Sequence, residues 1–139
     1  MSRLWNESFT RALPLKRDPL GGPPLLVPNP YTGEPCMLLI REIMYCKPGM
    51  VRPLVEKFLA MAKLSAKVGM PKMRIMTDVC ADRYWMLVAE MEVANMAEFE
   101  RMMQGGGQNS EDMKEFESIM KGYHDLVDHG RREIYKIEG

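Results

Sequence analysis

At 139 residues the chain fits one domain, long enough to bury roughly two thirds of its unfolded surface in a single core. Nineteen basic side chains balance nineteen acidic ones, so there is no electrostatic footprint for gripping a phosphate backbone, and nucleic acid is excluded as a partner. Three cysteines, Cys36, Cys46 and Cys80, are odd in number and form no C-x-x-C pair, which argues against a disulfide framework and a structural zinc site.

No apolar run of signal-peptide length opens the sequence, and no window approaches the ~18 apolar residues of a spanning helix. A reduced, cytoplasmic protein without a membrane partner is therefore expected. Fifteen methionines is a high count. They suit a soft core that adapts to varied apolar contents, and they are scattered without the paired spacing that copper needs.

Residues 1–35 hold seven of the ten prolines together with Gly21 and Gly22, so helix and central strand are both excluded over most of the segment. An extended N-terminal arm is expected there, with residues 36–139 as the folded domain. Leu4, Trp5, Phe9 and Leu13 recur at near-helical spacing, and Leu25, Leu26 and Val27 are too apolar to lie freely in water. The arm either packs across a partner or forms a loosely held tail.

Met37 to Cys46 is rich in Leu, Ile, Met and Tyr and holds only Arg41 and Glu42 as charges, which reads as a central strand. Lys47-Pro48-Gly49 ends it, because Pro48 cannot donate to a ladder and Gly49 permits a tight turn. Val51, Leu54, Val55, Phe58, Leu59, Ala62 and Ala66 then mark one face of an amphipathic helix of about five turns, with Pro53 tolerated in its first turn. Gly69 and Pro71 stop it.

Lys72 to Val79 alternates as an edge strand, and Cys80 to Arg83 supplies a short turn into the run Tyr84 to Asn95. In that run Trp85, Leu87, Ala89, Met91 and Val93 share one side, and Tyr84, Met86, Val88, Glu90 and Glu92 the other. Little polar relief on either face means a strand covered on both sides. If the apolar sets face the helices, Arg74 lies near Glu90, a register that needs an odd number of loop residues.

Asn95 and Glu98 stand at the positions of a reciprocal cap for a short helix carrying Met96, Phe99 and Met103. Gly105 to Gly107 breaks it. Ser110 restarts a longer helix with Glu111 and Asp112 in its first turn and Met113, Phe116, Met120, Tyr123 and Val127 as its buried stripe. Gly130 is expected to end that helix, and Arg131 to Glu138 forms a last strand. The order strand, helix, strand, strand, broken helix, strand is the split βαβ arrangement of a ferredoxin-like α+β domain, with helices on one face of an antiparallel sheet. On the other face Tyr84, Met86 and Val88 would form a large apolar patch, which a second copy of the sheet would cover as a homodimer.

The strand order, the strand exit Tyr45-Cys46-Lys47-Pro48-Gly49, the hairpin ending Glu90-Met91-Glu92 and the run Gly130-Arg131-Arg132-Glu133-Ile134-Tyr135 together resemble the dimeric α+β-barrel proteins, and most of all the NIPSNAP-like members. The resemblance covers about Met37 to Glu138. It implies a homodimer that uses the space between sheet and helices, as cofactor-free antibiotic-biosynthesis monooxygenases, haem-degrading enzymes, polyketide cyclases, isomerases and ligand-sensing domains of that superfamily do. The haem-degrading and monooxygenase branches commonly carry a histidine early in the second helix, where this chain has Arg101, Met102 and Met103.

Glu90 carries the most information among the polar positions, since a carboxylate on a doubly covered strand is paired, hydrogen-bonded or held with a raised pKa. It is either a general base acting on a bound apolar acid or a structural partner of Arg74. Glu42 belongs to the same reading, but alternation alone leaves open whether Glu42 or Arg41 faces the pocket. His124 borders the buried stripe, and imidazole as a residue type suits proton transfer near neutrality, so it is the second proton-transfer candidate, whereas His129 reads as a cation at a helix C-terminus. Tyr84, Trp85 and Met86 would shape the site, and Arg74 or Arg132 would steady developing negative charge. No residue set has metal-ligand spacing, and no cofactor is expected. The leading expectation is a cofactor-free pocket enzyme acting on a small hydrophobic or aromatic molecule; the alternative is a non-catalytic ligand-binding or assembly module that works through the proline-rich arm.

Overall fold

The computed structural model describes residues 37–104 and 109–139. The expected arm over residues 1–35 and the glycine break at Gly105 to Gly107 lie outside the described residues. Strands β1 (Leu38–Cys46), β2 (Met73–Thr77), β3 (Met86–Val93) and β4 (Val127–Lys136) form one sheet in the order β2-β3-β1-β4. Every neighbouring pair is antiparallel. Helix α1 (Val51–Lys67) links β1 to β2, while α2 (Met96–Met103), α3 (Ser110–Met120) and the single turn α4 (Tyr123–Leu126) link β3 to β4. This is the ferredoxin-like arrangement that the element order implies.

The helix layer seals one sheet face. Leu54, Val55, Phe58 and Met61 of α1 pack with Met44 and Cys46 of β1, Leu87 and Ala89 of β3 and Met120 of α3. A side chain as fully buried as Leu54 or Leu87 contributes about 1.5–3 kcal/mol. The α1 stripe differs from the expected one: Met61, Leu64 and Ser65 are buried, whereas Leu59 and Ala66 are exposed.

Asn95 caps α2 as its sequence promises, its Oδ1 accepting the Glu98 N–H at 2.9 Å while Glu98 Oε2 accepts the Ala94 N–H at 2.8 Å. Asn109, one residue before the expected start, caps α3 by accepting from Glu111 and Asp112. The other end of α3 is held from α1, where Lys57 Nζ donates to the carbonyls of Ile119 and Lys121 at 3.0 and 2.7 Å.

Two expectations are overturned. The long helix ends at Met120 rather than at Gly130, because Gly122 takes a left-handed conformation and β1 then recruits Val127 onward into its ladder. Its apolar stripe survives across the break, with Phe116, Met120, Tyr123 and Val127 all on the helix-side core. His129 consequently lies in β4, not at a helix terminus. The strand containing Glu90 starts at Met86, two residues late. Trp85 has a φ of +64° and is 45% exposed, and Tyr84 is 86% exposed, so neither is a strand residue. The Met86 N–H donates to Asp78 Oδ1 and the Cys46 N–H to the Trp85 carbonyl, which closes the ladder and turns the preceding chain outward.

Gly130 is required where it stands. It pairs with Met44 across the ladder, and a Cβ there would lie 2.9 Å from the Ile43 carbonyl oxygen. The obstacle is backbone and β1 is central, so Gly130→Ala is expected to cost about 1–3 kcal/mol, measured as a lower urea midpoint.

Candidate functional site

Adjacent residues of β1 point to opposite sheet faces, and the ladder decides which charge goes where. Glu42 pairs with Arg132 of β4 and turns to the helix side; Arg41 pairs with Glu90 and Glu133 and turns away. The Glu42 side chain is almost wholly buried. Its Oε1 accepts from Arg132 Nε, and its Oε2, also buried, has no hydrogen-bond partner among the described residues. The Arg132 guanidinium lies 4.8 Å over the Phe99 ring, with Nη2 3.9 Å from Met103 Sδ. The cation that pairs with Glu42 is thus itself packed against an aromatic ring and a thioether.

Burial raises the Glu42 pKa above the ordinary carboxylate value, outweighing the attraction and hydrogen bond of Arg132. The Tyr123 hydroxyl is also raised, by burial first, then by the negative charge of Glu42, with a last push from Cys46 once that thiol ionises, which keeps it a proton donor at neutral pH. Cys46 is pushed up to about 11, chiefly by burial with a smaller push from Asp78, so it is an inert thiol rather than a nucleophile. The cluster therefore offers one buried base with an open acceptor, one cation that balances it and one neutral phenol.

The far face of the sheet is organised differently. Glu90 is buried, but both its oxygens are taken: Oε1 by Arg41 Nε at 2.7 Å and Oε2 by Arg74 Nη2 at 3.0 Å. Arg41 also approaches Glu133 at 3.6 Å, and Glu133 accepts from Arg131 at 2.9 Å and from the Tyr135 hydroxyl at 2.6 Å. These donors, Tyr135 first, hold the Glu133 carboxyl below its usual range. Beside this charged band Ile43, Tyr45, Met86 and Val88 pack together. His129 stacks on the Tyr45 ring at 4.5 Å, and Arg131 donates to its hydroxyl.

The predicted site residues divide between these places. Arg74 meets Glu90 as the odd-loop register requires, and Arg132 meets Glu42. Glu90 and His124 are not brought together, because Glu90 lies on the far face while His124 is exposed on α4 of the helix side, edge-on to Tyr123 at 4.7 Å. Met86 joins the far-face apolar cluster, and Tyr84 and Trp85 project before β3. Tyr123 and Phe99 were visible in sequence only as core positions; no pattern reports that one shares a field with Glu42 and the other lies under Arg132. Among the described residues no group of three or more His, Cys, Asp or Glu could hold a metal, and no helix is long and apolar enough to cross a membrane.

Solved structures share this architecture. A NIPSNAP-like domain protein from Burkholderia xenovorans matches at a TM-score of 0.55 and 11% identity, over 70% of this chain and 82% of its own. A dimeric protein of unknown function and ferredoxin-like fold from Bacteroides fragilis matches at 0.53 and 11%, over 73% and 96%. A putative antibiotic biosynthesis monooxygenase from Chloroflexus aurantiacus matches at 0.53 and 8%, over 74% and 94%. The fold is the NIPSNAP-like, ferredoxin-like α+β fold. No family model and no curated sequence matches the chain.

The two carboxylates should respond differently to substitution. Glu90→Ala leaves two partly exposed arginines without their partner and is expected to cost about 2 kcal/mol, read from denaturant unfolding. For Glu42 the folded pKa is raised, so the folded state holds its proton more tightly than the unfolded one, and stability falls as pH climbs from the ordinary carboxylate value, roughly 4.3, towards the raised one. The stability of the wild type minus that of Glu42→Gln should therefore shrink across this interval. A difference that grows with pH would refute the assignment.

Proposed function

We propose that the chain acts as a homodimeric α+β-barrel protein that takes a small hydrophobic or aromatic molecule between its sheet and helices and moves a proton on it without a cofactor. The observation that carries this reading is the buried, unpaired Oε2 of Glu42. A carboxylate oxygen in that setting is short of one hydrogen-bond donor, and an acidic O–H or a C–H beside a carbonyl on an apolar ligand would supply it. Glu42 then replaces Glu90 as the base, because both Glu90 oxygens are already engaged.

In this reading Arg132, bonded to Oε1, balances the carboxylate before transfer and the anion left on the ligand afterwards. Tyr123 remains protonated and donates a hydrogen bond to that anion. His124, exposed beside Tyr123, exchanges the proton with water. Phe99 and Met103 supply the apolar walls. The chemistry is of the isomerase, cyclase or cofactor-free monooxygenase kind, and the Chloroflexus aurantiacus neighbour is named a putative antibiotic biosynthesis monooxygenase. The homodimer is supported by the Bacteroides fragilis neighbour of the same fold, which is described as dimeric.

2-Naphthol tests the base directly, because its absorption distinguishes phenol from phenolate. Bound to the wild type near neutral pH it should show the naphtholate spectrum, and bound to Glu42→Gln the protonated one. Wild-type protein that binds 2-naphthol and leaves it protonated, or that does not bind it, counts against the reading. Native mass spectrometry of freshly purified protein, reporting subunit count and any retained molecule together, tests the assembly.

A further inference from the structure

An arginine frequently meets a carboxylate as a fork, with Nε and the Nη2 beside it each donating to one oxygen. Arg132 and Glu42 make only half of that fork. Nε donates to Oε1, but Nη2 lies 3.9 Å from the Met103 sulfur, and Oε2 has no donor among the described residues. In the far-face row Arg74, Glu90, Arg41, Glu133, by contrast, each carboxylate oxygen has a donor: Glu90 takes Arg41 and Arg74, and Glu133 takes Arg131 and Tyr135. The open acceptor at Glu42 coincides with a guanidinium arm turned towards a thioether.

Helix α2 sets that pose. Phe99 and Met103 stand four residues apart on one face of it, Phe99 buried under the guanidinium at 4.8 Å and Met103 half-buried beside Nη2. The Asn95 cap fixes the start of the helix, and the Gln104 N–H closes its end on the Glu100 carbonyl at 3.1 Å. A thioether is a weak acceptor, whereas a carboxylate oxygen is a strong one. Were the space of Met103 empty, Nη2 would turn to Oε2 and complete the fork. A second hydrogen bond to the charged form lowers a carboxyl pKa, so the completed fork would leave a weaker base.

We propose that Met103 is a positioning residue for Glu42: by holding Nη2 of Arg132 away from Oε2, it keeps the pair to a single hydrogen bond and leaves the second oxygen to the ligand. The proposal rests on Glu42 as the base and adds what keeps it basic. Met103 acts through Arg132 rather than on the transferred proton. The charged and titratable groups whose fields Glu42 shares among the described residues are Arg132 of β4 and Tyr123 of α4, and a substitution at Met103 replaces neither.

The test reads Glu42 with no ligand present. Glutamate is isotope-labelled at its side-chain carboxyl carbon, the Glu42 signal is identified by its loss in Glu42→Gln, and the full chain is titrated by NMR. The wild-type midpoint should lie above the ordinary carboxylate value, and Met103→Ala should lower it by about one pH unit or more. Met91→Ala trims another methionine packed on the same cluster of Ile40, Val93 and Phe99, and should leave the midpoint in place. A midpoint unmoved or raised in Met103→Ala overturns the positioning role and leaves Glu42 as the base. An equal fall in Met91→Ala overturns it too, by assigning the effect to packing. A wild-type midpoint at or below the ordinary value defeats the base itself. Should Met103→Ala not fold, Met103→Val removes the same sulfur and must give the same fall.

Discussion

Strand β1 sends two neighbouring charges to opposite sides of the sheet, and most of what is distinctive in this fold follows from how each is neutralised. A charge taken out of water must be paired or lose its ionisation. Lying between β3 and β4, β1 has a partner strand on either hand to supply the counter-ions. Arg41 draws on both, through Glu90 and Glu133, whereas Glu42 draws on Arg132 alone. The side with one partner is the side left incomplete.

That asymmetry separates a structural carboxylate from a chemical one. Glu90 and Glu42 are both buried, but Glu90 has an arginine donor on each oxygen, while Glu42 keeps a buried oxygen without a donor among the described residues. An unsatisfied buried acceptor costs about 1–3 kcal/mol. Local rules are broken most often where a site needs them broken, and here the break is on the helix side, beside the Arg132 that Phe99 and Met103 contact. No comparable deficit is found at Glu90, which is why the base is assigned to β1 and not to β3.

Much of this was legible in the chain. Alternation in residues 38–46 and 86–93, the helical spacing after Pro48 and the Asn95/Glu98 cap are local properties, and each is realised. The Arg74–Glu90 contact was legible for a subtler reason: sheet parity leaves only two choices, and facing the apolar sets of both strands to the helices selects one. What failed was competition between local and distant preferences. Tyr123 to Gly130 fits a helical stripe by spacing, but β1 offers a ladder to the same residues, and Gly122 with its positive φ lets the chain leave the helix. Tyr84 and Trp85 fit the strand by alternation, but Asp78 captures the Met86 N–H and ends the pairing there. Arg41 and Glu42 could not be assigned by alternation at all, since either phase buries one charge; the counter-ion on β4, more than eighty residues away in sequence, breaks the tie.

The far-face row and the helix-side cluster meet in the same strand. Arg41 lies in the middle of the far-face row, and the next peptide carries Glu42 into the helix-side cluster. A strand paired on both sides has little freedom to rotate one side chain without disturbing its neighbour, because the ladders to β3 and β4 fix the plane of every peptide between Leu38 and Tyr45. The ion pairs of the charged row therefore restrain the backbone that presents Glu42. The far face would supply rigidity and the near face reactivity, with β1 as the element they share.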